Sequence, residues 1–406
     1  MRLTNFSITL ILIAVLILNP YTAFGPVGYY FAIPLVILAV SSGLKYSRLD
    51  IIGLFSVCIF ISLIGVFSSV VHGISQIAHF KASVLIITNY LIGVGLFFLL
   101  RKSFKFDDIL IIVLCVGVAN GLTILAQVQY PQFRATIESV LIESGNIDWK
   151  EGFRYRGLAS GGGASLSVLS ALMAYIGLYL YGIGRIGIFS FLASIAILSV
   201  SVLFVGRTGV LLIFMAFLLK IVLSGFRSFK LLLLFLICIP LVVLFGHDLI
   251  ENYLIYQYGE EFYFYALGFI LQGKDGIDNE GTVGVLADFL MVVPKQFPQV
   301  FTGYGFYGEG NFEPWTDSGY SRMFLSVGFI FGFIYYVSVA LIFMKSVQGK
   351  IILFLPLIIL LAIAEAKEPL LLTGYSSRLL FMLLGFWVAE RVYNSRRVTD
   401  ISLHTT

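Results

Sequence analysis

Apolar residues along this chain gather in blocks separated by short charged or glycine-rich stretches. Each block holds roughly 17–25 residues, enough at ~1.5 Å per residue to cross ~30 Å of hydrocarbon as a helix. The pattern predicts twelve helical spans, at 7–24, 27–43, 50–71, 82–100, 108–130, 162–181, 186–205, 208–226, 230–246, 319–344, 351–366 and 374–390. The first has the features of a signal peptide, with Arg2, an apolar core and small residues near Ala23. Because further spans follow it, it reads as a retained signal anchor. No internal repeat stands out. The expected fold is all-α, a polytopic helical membrane protein of about 12 transmembrane helices forming one integral membrane domain over 1–406.

Composition agrees: 59% of residues are hydrophobic and 12% charged, and the mean hydropathy is +0.99. A soluble domain carries charge on about a quarter of its residues. The net charge of +4 matters less than its distribution. With the N-terminus inside, the inner loops hold Lys45, Arg48, Arg101, Lys102, Lys105, Arg185, Lys220, Arg227, Lys230, Lys345 and Lys350, and the tail adds Arg391, Arg396 and Arg397. More than half of the basic residues then lie inside, but fewer than a quarter of the acidic ones. This bias puts both the N- and C-termini in the cytoplasm. Two sizeable loops face outward, a first periplasmic loop over 131–161 and a large one over 247–318, between spans 9 and 10. The aromatic stretch 251–271 of the second is expected to lie flat at the interface or re-enter the outer leaflet. Cys58, Cys115 and Cys238 all fall inside apolar blocks, and the four histidines are scattered. Neither a disulfide framework nor a metal site is expected.

Charges that break the inside bias are the informative ones. Lys150, Arg154 and Arg156 lie in the first outer loop, just before the triplet Gly161-Gly162-Gly163 that opens the sixth span. Glycines let backbone N–H groups approach an anion, a helix start adds partial positive charge, and arginine's planar fork matches phosphate oxygens. The same arginines could instead touch lipid headgroups or pair with Glu143 and Glu151. A second candidate is Arg207, in the hairpin Gly206-Arg207-Thr208-Gly209 between spans seven and eight. Only about 20 Å of helix separates it from Lys220, less than the hydrocarbon thickness, so Arg207 is expected at or below the outer interface. A third lies where the large loop enters span ten. Asp317 stands at the helix start, where it can cap, and Arg322 follows one turn inside. Tyr304, Tyr307 and Trp315 supply rings that suit either a sugar or an aromatic belt, and Tyr320 is a further polar side chain at the seam. A fourth cluster, Glu365, Lys367, Glu368 and Arg378, reads as a structural salt-bridge network around the last outer loop.

Arg156-Gly157, Gly206-Arg207-Thr208-Gly209, and Gly303-Tyr304-Gly305 followed by Asp317-Ser318-Gly319-Tyr320 occur in this order, with a large outer loop late in the chain. In layout and motifs the chain resembles the Wzy-type O-antigen polymerases, which belong with O-antigen ligases in a wider group of membrane glycosyltransferases. The resemblance implies an enzyme of the bacterial inner membrane with its active face in the periplasm. It would polymerise undecaprenyl-diphosphate-linked oligosaccharide repeat units into O-antigen or a related surface polysaccharide, with no metal or other cofactor. It further implies that Asp317, Arg207 and Arg156 are catalytic, and that Arg154, Lys150, Arg322, Tyr320, Tyr304 and Gly162 bind substrate. Ligases of the group have histidine where Asp317 stands, which favours polymerase over ligase. Many relatives also carry an arginine upstream of the Gly-Tyr-Gly segment. None occurs in 281–294, leaving Lys274, Lys295 or Arg322 to take its place. Expected partners are the lipid-linked oligosaccharide, membrane lipids and a chain-length regulator, with no nucleic acid. The alternatives are an O-antigen ligase and a flippase or transporter for lipid-linked oligosaccharide. A flippase calls for polar residues through mid-span depth and broken helices in symmetric halves.

Overall fold

The computed structural model describes residues 3–43, 48–73, 76–141, 155–224, 255–256, 259–260, 292–307, 316 and 318–404. Of these, 79% are helical, and the fold is all-α. The helices are α1 (Leu3–Leu18), α2 (Val27–Leu38), α3 (Leu49–Val71), α4 (Ala78–Leu100), α5 (Phe106–Gln129), α6 (Pro131–Val140), α7 (Ala164–Gly182), α8 (Ile188–Leu203) and α9 (Arg207–Ser224). After the large loop come α10 (Gln299–Thr302), α11 (Gly319–Val327), α12 (Phe329–Ser346), α13 (Ile351–Glu365), α14 (Leu370–Thr373) and α15 (Tyr375–His404). Five of these helices are long and apolar enough to cross a membrane, within α3, α4, α5, α7 and α12, and four shorter apolar helices accompany them. Phe60, Phe67, Val70 and Phe189 stand exposed on the outer surface of the bundle, as residues facing lipid would.

Three elements depart from the hydrophobic pattern. The predicted span 319–344 is two helices, broken at Gly328 (φ 85°). A Cβ there would meet the Phe301 carbonyl carbon at 2.4 Å, so the break is where α10 crosses. The first outer loop opens with α6, a short helix started by Pro131 with no buried residue. The last helix runs far past residue 390, carrying the basic tail as helix to His404. The predicted span 230–246 and nearly all of 251–271 lie outside the described residues.

The central pillar is α7, where every residue from Leu166 to Leu180 is buried. It packs against α5, α8, α9, α13 and α15. The tightest crossing joins α4 to α15. A Cβ on Gly93 would lie 2.0 Å from the Met382 carbonyl oxygen, and one on Gly385 2.0 Å from that of Tyr90. Small residues on both partners let these backbones touch, the usual route to tight packing between apolar helices that gain nothing from hydrophobic burial in lipid.

The two ends of the bundle differ in chemistry. At one end, Asp50 receives Arg48 at 2.8 Å and Lys345 at 3.1 Å, Asp107 receives Lys350 at 2.8 Å, and Asp108 receives Arg185. Glu390 accepts the Phe106 N–H at 3.2 Å, closing the start of α5. These residues all belong to the loops that the charge bias assigns to the cytoplasm. The remaining loops meet at the opposite end. The Ser160 N–H donates to the Leu18 carbonyl at 3.3 Å, the Tyr155 N–H to that of Phe204 at 2.9 Å, and Ser68 Oγ to the Gly303 carbonyl at 3.0 Å.

Candidate functional site

The candidate site begins with the segment 155–163 that feeds into α7. Two buried amides of α5 hold it. Gln127 accepts the Gly157 N–H at 3.1 Å and donates to the Gly157 carbonyl at 3.3 Å, while Asn120 accepts the Leu158 N–H at 2.8 Å. Gly157 has φ 62° and no room for a Cβ, which would lie 2.4 Å from Asn120 Oδ1. The Arg156-Gly157 pair is therefore fixed by α5. One guanidinium nitrogen of Arg156, Nη2, donates to the Leu141 carbonyl at 2.5 Å. The other, Nη1, is buried with no hydrogen-bond partner.

Gly161 leads into α7 and is held from the far end of the sequence. The Tyr375 hydroxyl accepts the Gly161 N–H at 2.6 Å, lies 3.0 Å from the Gly161 carbonyl, and pairs with Ser160 Oγ at 2.9 Å. The Tyr375 N–H donates to Ser165 Oγ at 3.1 Å. One turn into α15, the Arg378 guanidinium stands 5.6 Å from the centre of the Tyr375 ring, and its Nη1 is also buried without a hydrogen-bond partner. The groups within electrostatic reach of it are Tyr29 and Tyr375, and Arg156 and Arg378 both act on the Tyr375 hydroxyl. An ordinary buried guanidinium has its charge met by a carboxylate. Among the described residues no carboxylate meets either of these.

The α8–α9 hairpin closes the same corner. A Cβ on Gly206 would meet Ser167 Oγ at 3.2 Å and Gly163 at 3.4 Å, and one on Gly209 would meet the Ser167 carbonyl oxygen at 2.5 Å. Arg207, the first residue of α9, thus stands beside the N-terminus of α7. Lys367, from the last loop of this end, donates to Thr208 Oγ1 at 3.1 Å. The segments that carry Arg156, Gly162 and Arg207 thus lie together at the start of α7, and Tyr375 joins them from α15.

The stretch 303–322 forms a second cluster. Tyr304 and Gly305 run against the end of α11 by N–H bonds to the Leu325 and Ser326 carbonyls, at 2.7 and 3.0 Å. The Tyr304 ring meets His72 edge-on at 5.9 Å. Tyr307 is sealed behind it, its ring 6.0 Å from that of His79, and burial pushes its hydroxyl well above the usual range. The cap of α11 is Ser318, whose hydroxyl accepts the Ser321 N–H, so a helix cap is present without recourse to Asp317. Arg322 Nε donates to the Thr316 carbonyl at 2.9 Å and lies within electrostatic reach of Glu365. The Tyr320 hydroxyl donates to the Ala362 carbonyl at 2.9 Å, which turns it toward α13.

Glu365 is 1% exposed and accepts the Leu371 N–H at 2.6 Å and the Tyr336 hydroxyl at 3.1 Å. The salt-bridge network expected around Glu365 and Arg378 is therefore absent between those two: Glu365 turns toward α12 and α14, Arg378 toward Tyr375. Loop 366–374 bridges the clusters, reaching Thr208 through Lys367 and the start of α7 through Tyr375. Lys150, Arg154, Trp315 and Asp317, with Lys274, lie outside the described residues. Lys295 is exposed. No protein-family model matches this chain, and no curated protein or solved structure matches it.

Proposed function

We propose that this chain is a membrane glycosyltransferase that polymerises lipid-diphosphate-linked oligosaccharide repeat units at the periplasmic face of the bacterial inner membrane. One observation carries the reading. Arg156 and Arg378, two guanidinium groups each with a buried, unpartnered nitrogen, both act on the Tyr375 hydroxyl, which is bonded to Gly161 just before α7. Cations gathered at one end of a bundle, two of them met by no carboxylate among the described residues, favour an anionic ligand. A lipid diphosphate supplies such an anion at that depth. The charged groups described here lie toward the two ends of the bundle, which favours surface chemistry over a translocation path.

In this reading a hydroxyl oxygen of the acceptor unit attacks the anomeric carbon of the donor glycan. The bond from that carbon to the diphosphate oxygen breaks, and its electron pair leaves with the lipid diphosphate. Arginines stabilise this developing charge, the largest single catalytic contribution in many enzymes. Asp317 takes the hydroxyl proton as general base. Tyr304, Tyr320 and Arg322 line the acceptor side. The second reading, a ligase, uses the same transfer with a different acceptor.

Lipopolysaccharide from a strain lacking the gene separates the candidates. A polymerase-null strain shows core carrying a single repeat unit. Bare core with normal lipid-linked polymer identifies a ligase, bare core with repeat units trapped inside identifies a flippase, and a ladder of normal length refutes all three.

A further inference from the structure

Arg378 has no role in any motif of the sequence, and its neighbourhood in the chain makes it look neutralised. Glu365, Lys367 and Glu368 lie within thirteen positions of it. In three dimensions Glu365 and Lys367 are turned to other partners. Glu365 spends its oxygens on Tyr336 and the Leu371 N–H, and Lys367 reaches across to Thr208. Arg378 instead turns to the ring of Tyr375, 5.6 Å away. Cation–π contact offsets only part of what desolvating a guanidinium costs. Nη1 of Arg378 remains buried with no hydrogen-bond partner. Arg156 shows the same defect: Nη2 is taken by the Leu141 carbonyl and Nη1 is left unmet.

A buried guanidinium with an unmet donor is costly, and two of them act here on one tyrosine hydroxyl, an arrangement that an anion would relieve. The surroundings are built to hold that arrangement. Tyr375 ties α15 to Ser160 and Gly161, fixing the distance between the loop that carries Arg156 and the helix that carries Arg378. Gly161 is nearly open, with only the Tyr375 hydroxyl near a Cβ placed there, at 3.6 Å.

We infer that Arg378 and Arg156 together form a two-pronged binding site for a phosphate or diphosphate ester, with Tyr375 as the strut that sets their spacing. The inference rests on the lipid-diphosphate reading for its natural ligand, but the site itself is defined by an anion of that class. Arg378 binds the non-reacting phosphate oxygens, and Tyr375 is a positioning residue. The source of the phosphate is either the head of a lipid carrier or a free diphosphate, which share this chemistry.

The test uses the full-length protein in detergent micelles, with undecaprenyl diphosphate and inorganic diphosphate as separate probes. Wild-type protein should bind the lipid saturably, and Arg378→Gln should weaken binding about tenfold or more, the usual loss when a charge-assisted hydrogen bond is removed. Arg378→Lys should recover part of it. Competition by inorganic diphosphate identifies the head alone as the determinant, whereas none shows that the lipid is required. A second measurement needs no variant: undecaprenyl diphosphate should protect Arg378 and Arg156 of the wild type from phenylglyoxal, as mapped by mass spectrometry. Unchanged affinity in Arg378→Gln, or absence of protection at both arginines, overturns the inference. Those outcomes leave the polymerase reading standing if the gene-deletion strain still accumulates core with one repeat unit. A normal ladder in that strain alongside tight, Arg378-dependent binding has the opposite meaning.

Discussion

Arg207 and Arg156 reach the same corner from opposite sides of α7, one leading the α8–α9 hairpin and the other held by Asn120 and Gln127 of α5. Arg207→Ala should abolish polymer while the protein inserts and accumulates at wild-type levels, which a blot of membranes beside a lipopolysaccharide gel reads directly. Full-length polymer in that variant would remove Arg207 from the site. Both arginines were legible in the sequence because they are cations on the wrong side of the positive-inside pattern. Arg378 was not legible, since carboxylates and a lysine lie near it in the chain, and only the fold shows that Glu365 and Lys367 turn to other partners. Glu365 illustrates the same limit, because its partners Tyr336 and Leu371 are set by the packing of α12 and α14. Gly157 carried a recoverable signal, as a glycine directly after the arginine hints at a backbone that permits no side chain.

At the scale of elements, hydrophobic blocks located the long helices well. They missed the interruption at Gly328, because the residues on both sides are apolar and the cause is a crossing by α10, remote in sequence. Gly328→Ala combines a left-handed φ with a contact of 2.4 Å, and a cost on the order of 1–3 kcal/mol is expected. It should appear as a lowered melting temperature in detergent. Gly93→Leu attacks the α4–α15 crossing more severely and should sharply reduce the amount of folded protein recovered. Normal yield would mean the two backbones do not touch. The junction of α5 and α13 offers a pH test. Burial alone would lower the Lys350 ammonium, but Asp107 and Tyr179 outweigh it and hold it above the ordinary lysine value. A cation with a raised value in the fold contributes stability at neutral pH that is lost as the pH climbs past ~10.4. Lys350→Met should therefore melt lower at pH 7, and the gap from wild type should close in strongly alkaline buffer.

For the whole molecule, the difference between the two ends is the main structural result. One end pairs Arg48, Arg185, Lys345 and Lys350 with Asp50, Asp107 and Asp108, whereas at the other Nη1 of Arg156 and of Arg378 is buried without a hydrogen-bond partner. Several loops that the charge bias groups together are joined at the first of these ends by its ion pairs. Single cysteines in a background freed of Cys58, Cys115 and Cys238 check the assignment of sides. Ser139→Cys, on exposed α6, should react with an impermeant maleimide in spheroplasts, and Ser395→Cys, on the tail of α15, only after permeabilisation. The reverse pattern would turn the protein over and put the arginines in the cytoplasm.

The central claim is that this end of the bundle joins repeat units while they are still attached to their lipid carrier. Purified protein in liposomes, given only undecaprenyl-diphosphate-linked repeat units and a chelator, should build a ladder of lipid-linked oligomers and release undecaprenyl diphosphate in step with each bond. Arg156→Gln should build none. Repeat units that remain monomeric with active, correctly folded protein present would contradict the account.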